Sequence, residues 1–113
     1  MMKKEEFNNG SVRISNDILT LISAMAAYEV KGVSSLVGME GVDMSQVHSS
    51  QIKGVELAMD GQSIMIGIDI IVDCEGKVNR IATAVQKNVI DKLKLMTGLD
   101  ATAVNVKVEG LNC

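Results

Sequence analysis

From Gln62 to Asp73 the chain reads QSIMIGIDIIVD, with a branched aliphatic side chain at every second position: Ile64, Ile66, Ile68, Ile70 and Val72. Successive side chains of an extended backbone point to opposite faces, so this spacing predicts a strand with one face buried. The opposite face of the same strand, Met65, Gly67, Asp69, Ile71 and Asp73, is only partly polar. GVELAM precedes it, and Asp60 with Gly61 between the two runs is the strongest short-range signal for a two-residue hairpin. An antiparallel pair is expected.

ATAVNVKVEG, Ala101 to Gly110, repeats the alternation, with Val104, Val106 and Val108 on one face and Asn105, Lys107 and Glu109 on the other. It predicts a second half-buried strand. VSSLVG from Val33 to Gly38 reads as a further strand, and SVRIS from Ser11 to Ser15 as a short strand or an entry arm.

Two segments switch to the helical period. In the first, Ser15 or Asn16 supplies an N-cap, and Ile18, Leu21, Ile22 and Met25 form the expected buried stripe. That helix is expected to end near Val30, with Gly32 as a left-handed C-terminal cap. In the second, Val78, Ile81, Val85, Val89, Leu93 and Met96 share one face. Gly98 stops it and lets Leu99 pack back near Leu93.

Met39 to Lys53 follows neither period and reads as a mobile loop, residues 1–9 as a disordered tail, and 10–113 as a single domain. Two helices among such strands predict an α+β fold, with roughly three to five strands in a small mixed or antiparallel sheet and both helices packed on one face. The second face stays open. Gly67 in mid-strand marks a bulge or the close approach of another backbone. Met65, Gly67, Asp69 and Ile71, with Asn105 and Lys107 on the last strand, are therefore the candidate interaction residues. The alternative is that they are scattered surface side chains of the ordinary kind.

Composition removes several classes of function. Aromatic residues are only 2% of the chain, so stacking platforms for bases or sugars are nearly absent and the core must use Ile, Val, Leu, Ala and the eight Met. A formal charge of −3 repels a phosphate backbone, and no nucleic-acid partner is expected. MMKKEEFNNG lacks the apolar run of a signal peptide, and no segment is apolar for long enough to insert in a membrane, which predicts a cytoplasmic protein. Cys74 and Cys113 cannot make a disulfide framework. Reduced thiols are expected, Cys74 as a small buried side chain and Cys113 in a loose terminus.

No motif places a reactive group. His48 lies among Ser45, Ser49 and Ser50 without a strained nucleophile elbow, which describes a solvated loop histidine. One histidine and two distant cysteines offer no metal-ligand spacing. Gly38 to Gly41 reads GMEG, formally a GxxG, but Met and Glu stand where a phosphate clamp needs Lys or Arg. GxxxxGK[ST] and GxGxxG are both missing. Asp69 and Asp73 read as solvent-facing strand residues. Neither a catalytic residue nor a cofactor or metal site is assigned.

GSVRIS at Gly10 to Ser15, AAYEVKGVSSL at Ala26 to Leu36 and VQKNVIDKLKLMTGLDATAVNVKVEGL at Val85 to Leu111 resemble the alkaline shock protein family of Gram-positive bacteria, also called the general or cell-envelope stress family. The blocks keep the family's order and spacing from about residue 10 to the end. The resemblance implies a non-enzymatic stress-response protein of the cytoplasm that forms homo-oligomers and is held at the membrane by a separate membrane-anchored partner. Its motif positions here are Glu29, Gly32, Gln86, Gly98, Leu99 and Asn105. Family members usually carry Tyr-Gly at the end of the long strand and often Pro opening the second helix; here the junction reads DCEGKVNR and the chain has no proline. Two readings follow: a self-associating scaffold or docking module, and a small-ligand or nucleic-acid binding domain that uses Met39 to Lys53 with Lys31 and Lys53.

Overall fold

The structure is a computed structural model that describes residues 14–60 and 63–113. Helices α1 (Asn16–Tyr28) and α2 (Val78–Thr97) and strands β1 (Val33–Leu36), β2 (Val55–Asp60), β3 (Ser63–Asp73) and β4 (Ala103–Asn112) follow in the order α1, β1, β2, β3, α2, β4. The tail and most of the segment expected as an entry arm lie outside the described residues, as does Gly61 of the expected turn.

β3 is the centre of the sheet because its alternation is the longest and most apolar. β4 runs parallel along one edge, from Met65 opposite Ala103 to Asp73 opposite Asn112, as a crossover through α2 requires. The other edge is shared end to end. β2 pairs antiparallel with Ser63–Ile68 and β1 with Ile70–Val72. At the joint, the Asp69 N–H donates to the Gly54 carbonyl at 2.8 Å, and the Asp69 carbonyl accepts from the Val37 N–H at 3.0 Å. The result is the expected α+β fold with a mixed, four-stranded sheet. In the hairpin, Asp60 pairs with Ser63, which sets Glu56 opposite Gly67. A turn centred on Asp60 and Gly61 would have set it opposite Met65.

Both helices cover the face that carries Ile64, Ile66, Ile68, Ile70 and Val72, all buried. α2 buries Ile81, Val85, Val89 and Leu93 as its period predicts, but Met96 is 64% exposed because the last turn overhangs the sheet. The α1 stripe is a correction. Ile18 and Met25 are exposed and Leu21 is half-buried; of the expected stripe Ile22 is buried, together with Leu19, Ser23, Ala24, Ala26 and Ala27, a face centred about 100° round the helix. Small residues let α1 approach closely, and a reading that follows the largest side chains misses them. Ser15 is the N-cap, its hydroxyl accepting from the Ile18 N–H at 3.3 Å.

Gly32 is not the helix cap. α1 closes at Tyr28 with Glu29 still right-handed, and Gly32 (φ +105°) sits in the next turn, where the Val33 N–H donates to the Val30 carbonyl at 3.2 Å. Gly98 is a left-handed cap as expected, its N–H donating to the Lys94 carbonyl at 2.9 Å. Nor does Gly67 mark a bulge, since both ladders run through it without a shift. The irregularities lie at Ser34 in β1 and at Glu109 in β4.

The segment from Met39 to Lys53 is built round two 3-10 turns, Met44–Gln46 and Ser49–Gln51, with Met39 buried and Met44, Val47 and Ile52 packed on the core. The Ser45 hydroxyl and N–H both donate to Asp43 Oδ1, and they hold its carboxyl below the usual aspartate range. His48 heads the second turn, its N–H donating to Gln51 Oε1 at 3.1 Å. Cys74 is exposed rather than buried, and the structure joins it to Cys113. The cysteines are neighbours rather than separate, because the parallel β3–β4 register brings the ends of both strands together.

Candidate functional site

The sheet face away from the helices gathers the predicted interaction residues in rows. Ala58, Met65 and Ala103 make the first row, with Met65 41% exposed between two small side chains. Glu56, Gly67 and Asn105 make the second, and Asp69 with Lys107 the third. Ser35 and Ile71 face the same way at the far end. The sequence reading named Met65, Gly67, Asp69, Ile71, Asn105 and Lys107 from alternation; Glu56 and Ala58 escaped it because only the β2 register shows their rows.

Gly67 leaves a trough there. A Cβ on it would meet nothing nearer than the Glu56 Cβ at 3.9 Å, so nothing in the described residues demands a glycine. The trough, lined by Glu56, Ala58, Met65 and Asn105, has a volume of about 590 Å³. Charged side chains flank it, Glu56 in its own row and Asp69 beside Lys107 in the next. Glu56 stands on β2, and Lys107 on β4 has a side chain 72% exposed that lies 3.7 Å from Glu109 Oε2. At the Ile71 end the Ser35 hydroxyl is buried without a hydrogen-bond partner among the described residues.

The family-motif residues do something else. Glu29 accepts from Asn88 Nδ2 at 3.1 Å and lies 3.3 Å from Lys92 Nζ. These two donors, Asn88 first, hold its carboxyl below the usual glutamate range. Asn88 Nδ2 also donates to the Ala26 carbonyl at 2.7 Å, so one amide ties the end of α1 to the middle of α2. Gln86 Nε2 donates to the Val104 carbonyl at 2.7 Å and fixes α2 on β4. Leu99 follows Gly98 back onto the core, its N–H donating to Thr97 Oγ1 at 3.1 Å. Glu29, Gln86, Gly98 and Leu99 thus position elements, whereas Asn105 lies on the open face. Asn88 was missed: on an amphipathic helix with many polar residues, nothing in the sequence set it apart from its neighbours.

The sequence matches the alkaline shock protein family, described as having a cell envelope-related function, over residues 4–113. This chain belongs to that family. Two Bacillus subtilis (strain 168) proteins are similar to it. YqhY is 28% identical over 112 residues, 97% of this chain and 83% of that protein, and YloU is 28% identical over 109 residues, 90% and 88% of the two. Among solved structures the fold resembles the copper form of a MamM CTD variant, with a TM-score of 0.60 and 21% identity over 85% of this chain and 98% of that one. The nickel form of another MamM CTD variant matches with a TM-score of 0.58 and 21% identity over 83% and 96%. At that identity the likeness speaks for the fold alone. Among the described residues of this alkaline shock family member, no group of three or more His, Cys, Asp or Glu side chains is placed to hold a metal ion. No helix among them is long and apolar enough to cross a membrane.

Proposed function

We propose that the chain is a non-enzymatic docking module of the cell envelope that pairs with a second copy of itself through the open sheet face, in the cytoplasm and held at the membrane by an anchored partner. The observation that carries this reading is the pattern of that face: an apolar row centred on exposed Met65, a trough over Gly67, and Glu56 and Lys107 on the two strands that flank β3. Two sheets stacked face to face about a two-fold axis along the strands set β2 of one copy over β4 of the other. Glu56 of each copy then lies within about two strand residues of Lys107 of the other, and Lys107 also stands beside the two Asp69 carboxylates that meet on the axis. The family's cell envelope-related description supports the site of action.

Light scattering after size exclusion, over a concentration series, tests the pairing. The native chain should reach the mass of a dimer, and Met65→Lys should return it to a monomer with an unchanged circular dichroism spectrum. Glu56→Lys alone and Lys107→Glu alone should each weaken the dimer, and the two combined should restore it. A native chain that stays monomeric at the highest concentration would sink the proposal.

A further inference from the structure

Cys74 follows β3 directly and Cys113 follows β4, and the two strands are neighbours with Asp73 opposite Asn112. Their Cα atoms are 5.0 Å apart although 39 residues separate them in sequence, inside the usual span of a disulfide. The Cys74 N–H donates to the Asn112 carbonyl at 3.2 Å, so the backbone sets the two cysteines side by side. Both residues are exposed. A surface cavity of about 580 Å³, lined by Lys31, Gly32, Asp73, Gly76 and Ile81, opens beside them and gives a small reagent access. In a reducing compartment an exposed disulfide of this kind is transient and redox-responsive.

We propose that Cys74 and Cys113 are a reversible redox-modification site, a dithiol that low-molecular-weight disulfides oxidise and small thiols reduce. One cysteine thiolate attacks a sulfur of the small disulfide, breaks its S–S bond and expels one small thiolate. The mixed disulfide that results is attacked at the chain's own sulfur by the second cysteine thiolate, and the second small thiolate leaves. The two electrons given up by the cysteines end in the two small thiols, and the two cysteine protons go with them. The intrachain bond then clamps the end of β4 to the end of β3. That end is the part of β4 beyond the irregularity at Glu109, held otherwise by its ladder and by Asn112 Nδ2 donating to the Ser34 hydroxyl at 2.8 Å. Ser34 adjoins Ser35, so the clamp steadies the Ile71 end of the open face.

The test equilibrates the full chain with mixtures of oxidised and reduced glutathione, quenches with acid and tags free thiols with a polyethylene glycol maleimide. On a non-reducing gel the two thiols should disappear together, with the chain at monomer mass and without glutathione attached. Excess reduced glutathione should return both. Cys74→Ser and Cys113→Ser should each instead accumulate a stable glutathione adduct on the remaining thiol. In the native chain oxidation should slow amide exchange at Leu111 and Asn112 by about tenfold or more, and in either variant it should not. Independent loss of the two thiols, a glutathione adduct on the native chain at equilibrium, or a disulfide only between chains would each overturn the proposal.

Discussion

Gly32 and Gly98 share a left-handed backbone, at φ +105° and +77°, but a methyl group at each would meet different surroundings. At Gly98 a Cβ meets nothing within 4 Å, whereas at Gly32 it falls 2.6 Å from Ile81 Cδ1 and 2.9 Å from Ile81 Cγ1. Ile81 sits between the two glycines, since a Cβ on Gly76 would lie 2.4 Å from the same Cδ1, and it can yield only by turning toward the cavity beside them. A left-handed conformation costs an L-residue about 1–2 kcal/mol, of which alanine recovers about 0.4–1 kcal/mol through a less disordered unfolded chain. Overpacking adds about 1–3 kcal/mol at Gly32 only. Gly98→Ala should therefore destabilise by about 1 kcal/mol and Gly32→Ala by about 2–4 kcal/mol, near 4 °C in Tm per kcal/mol for a domain of this size. Urea and thermal unfolding followed by circular dichroism measure both. Ile81→Val removes the nearer clashing atom, so the double variant Gly32→Ala with Ile81→Val should be more stable than the sum of the single effects by about 1 kcal/mol. Equal losses at the two glycines, or strict additivity with Ile81→Val, would refute the reasoning.

Leu19→Ala should destabilise by about 2–5 kcal/mol in urea unfolding, and Ile18→Ala, one residue earlier and half exposed, by much less, which checks the α1 face directly. Gln86→Ala should lose about 1 kcal/mol, with the same loss in Gln86→Met, because a hydrogen bond rather than volume is removed. Glu29 has its carboxyl pKa lowered in the folded chain, so its contribution is present above the unfolded glutamate pKa and fades as pH falls through the folded one. Native protein and Glu29→Gln should accordingly differ in Tm at pH 7 and converge as pH falls below the usual glutamate range, and added salt should shrink the difference at pH 7.

Periodicity made the strands and α2 readable because long runs of Ile and Val alternate without interruption from Ile64 to Val72 and recur at helical spacing from Val78 to Leu93. It failed where small residues carry the packing. Ser23, Ala26 and Ala27 have no hydrophobic bulk to reveal that α1 turns them inward. Alternation also showed which side chains share the open face, but not which rows they form, since rows depend on pairing between strands distant in sequence. Glu56 beside Gly67 and Cys74 beside Cys113 are both products of register. The parallel β3–β4 pairing that joins the cysteines depends on where the α2 crossover returns the chain, a tertiary fact that no local pattern holds.

Association through a sheet can use its face or its edges, and the edges here are poor templates. One is made of two short strands, β1 of four residues and β2 of six, set end to end with the Asp69 backbone already satisfied at the joint. The other, β4, carries Lys107 and Glu109 and shifts register beyond Val108. Short strands, charges and irregular pairing all discourage a further strand from adding on. Edge pairing of β4 against β1 or β2 of another copy would also be heterologous and would propagate into an open chain rather than close. Face-to-face contact joins identical surfaces and ends at two copies. Mass measured against concentration should therefore rise to a plateau at the dimer, and Lys107→Val, which makes the β4 edge more apolar and removes a face charge, should weaken that dimer without producing larger species. Continued growth of the native chain past two copies would point to the edges instead.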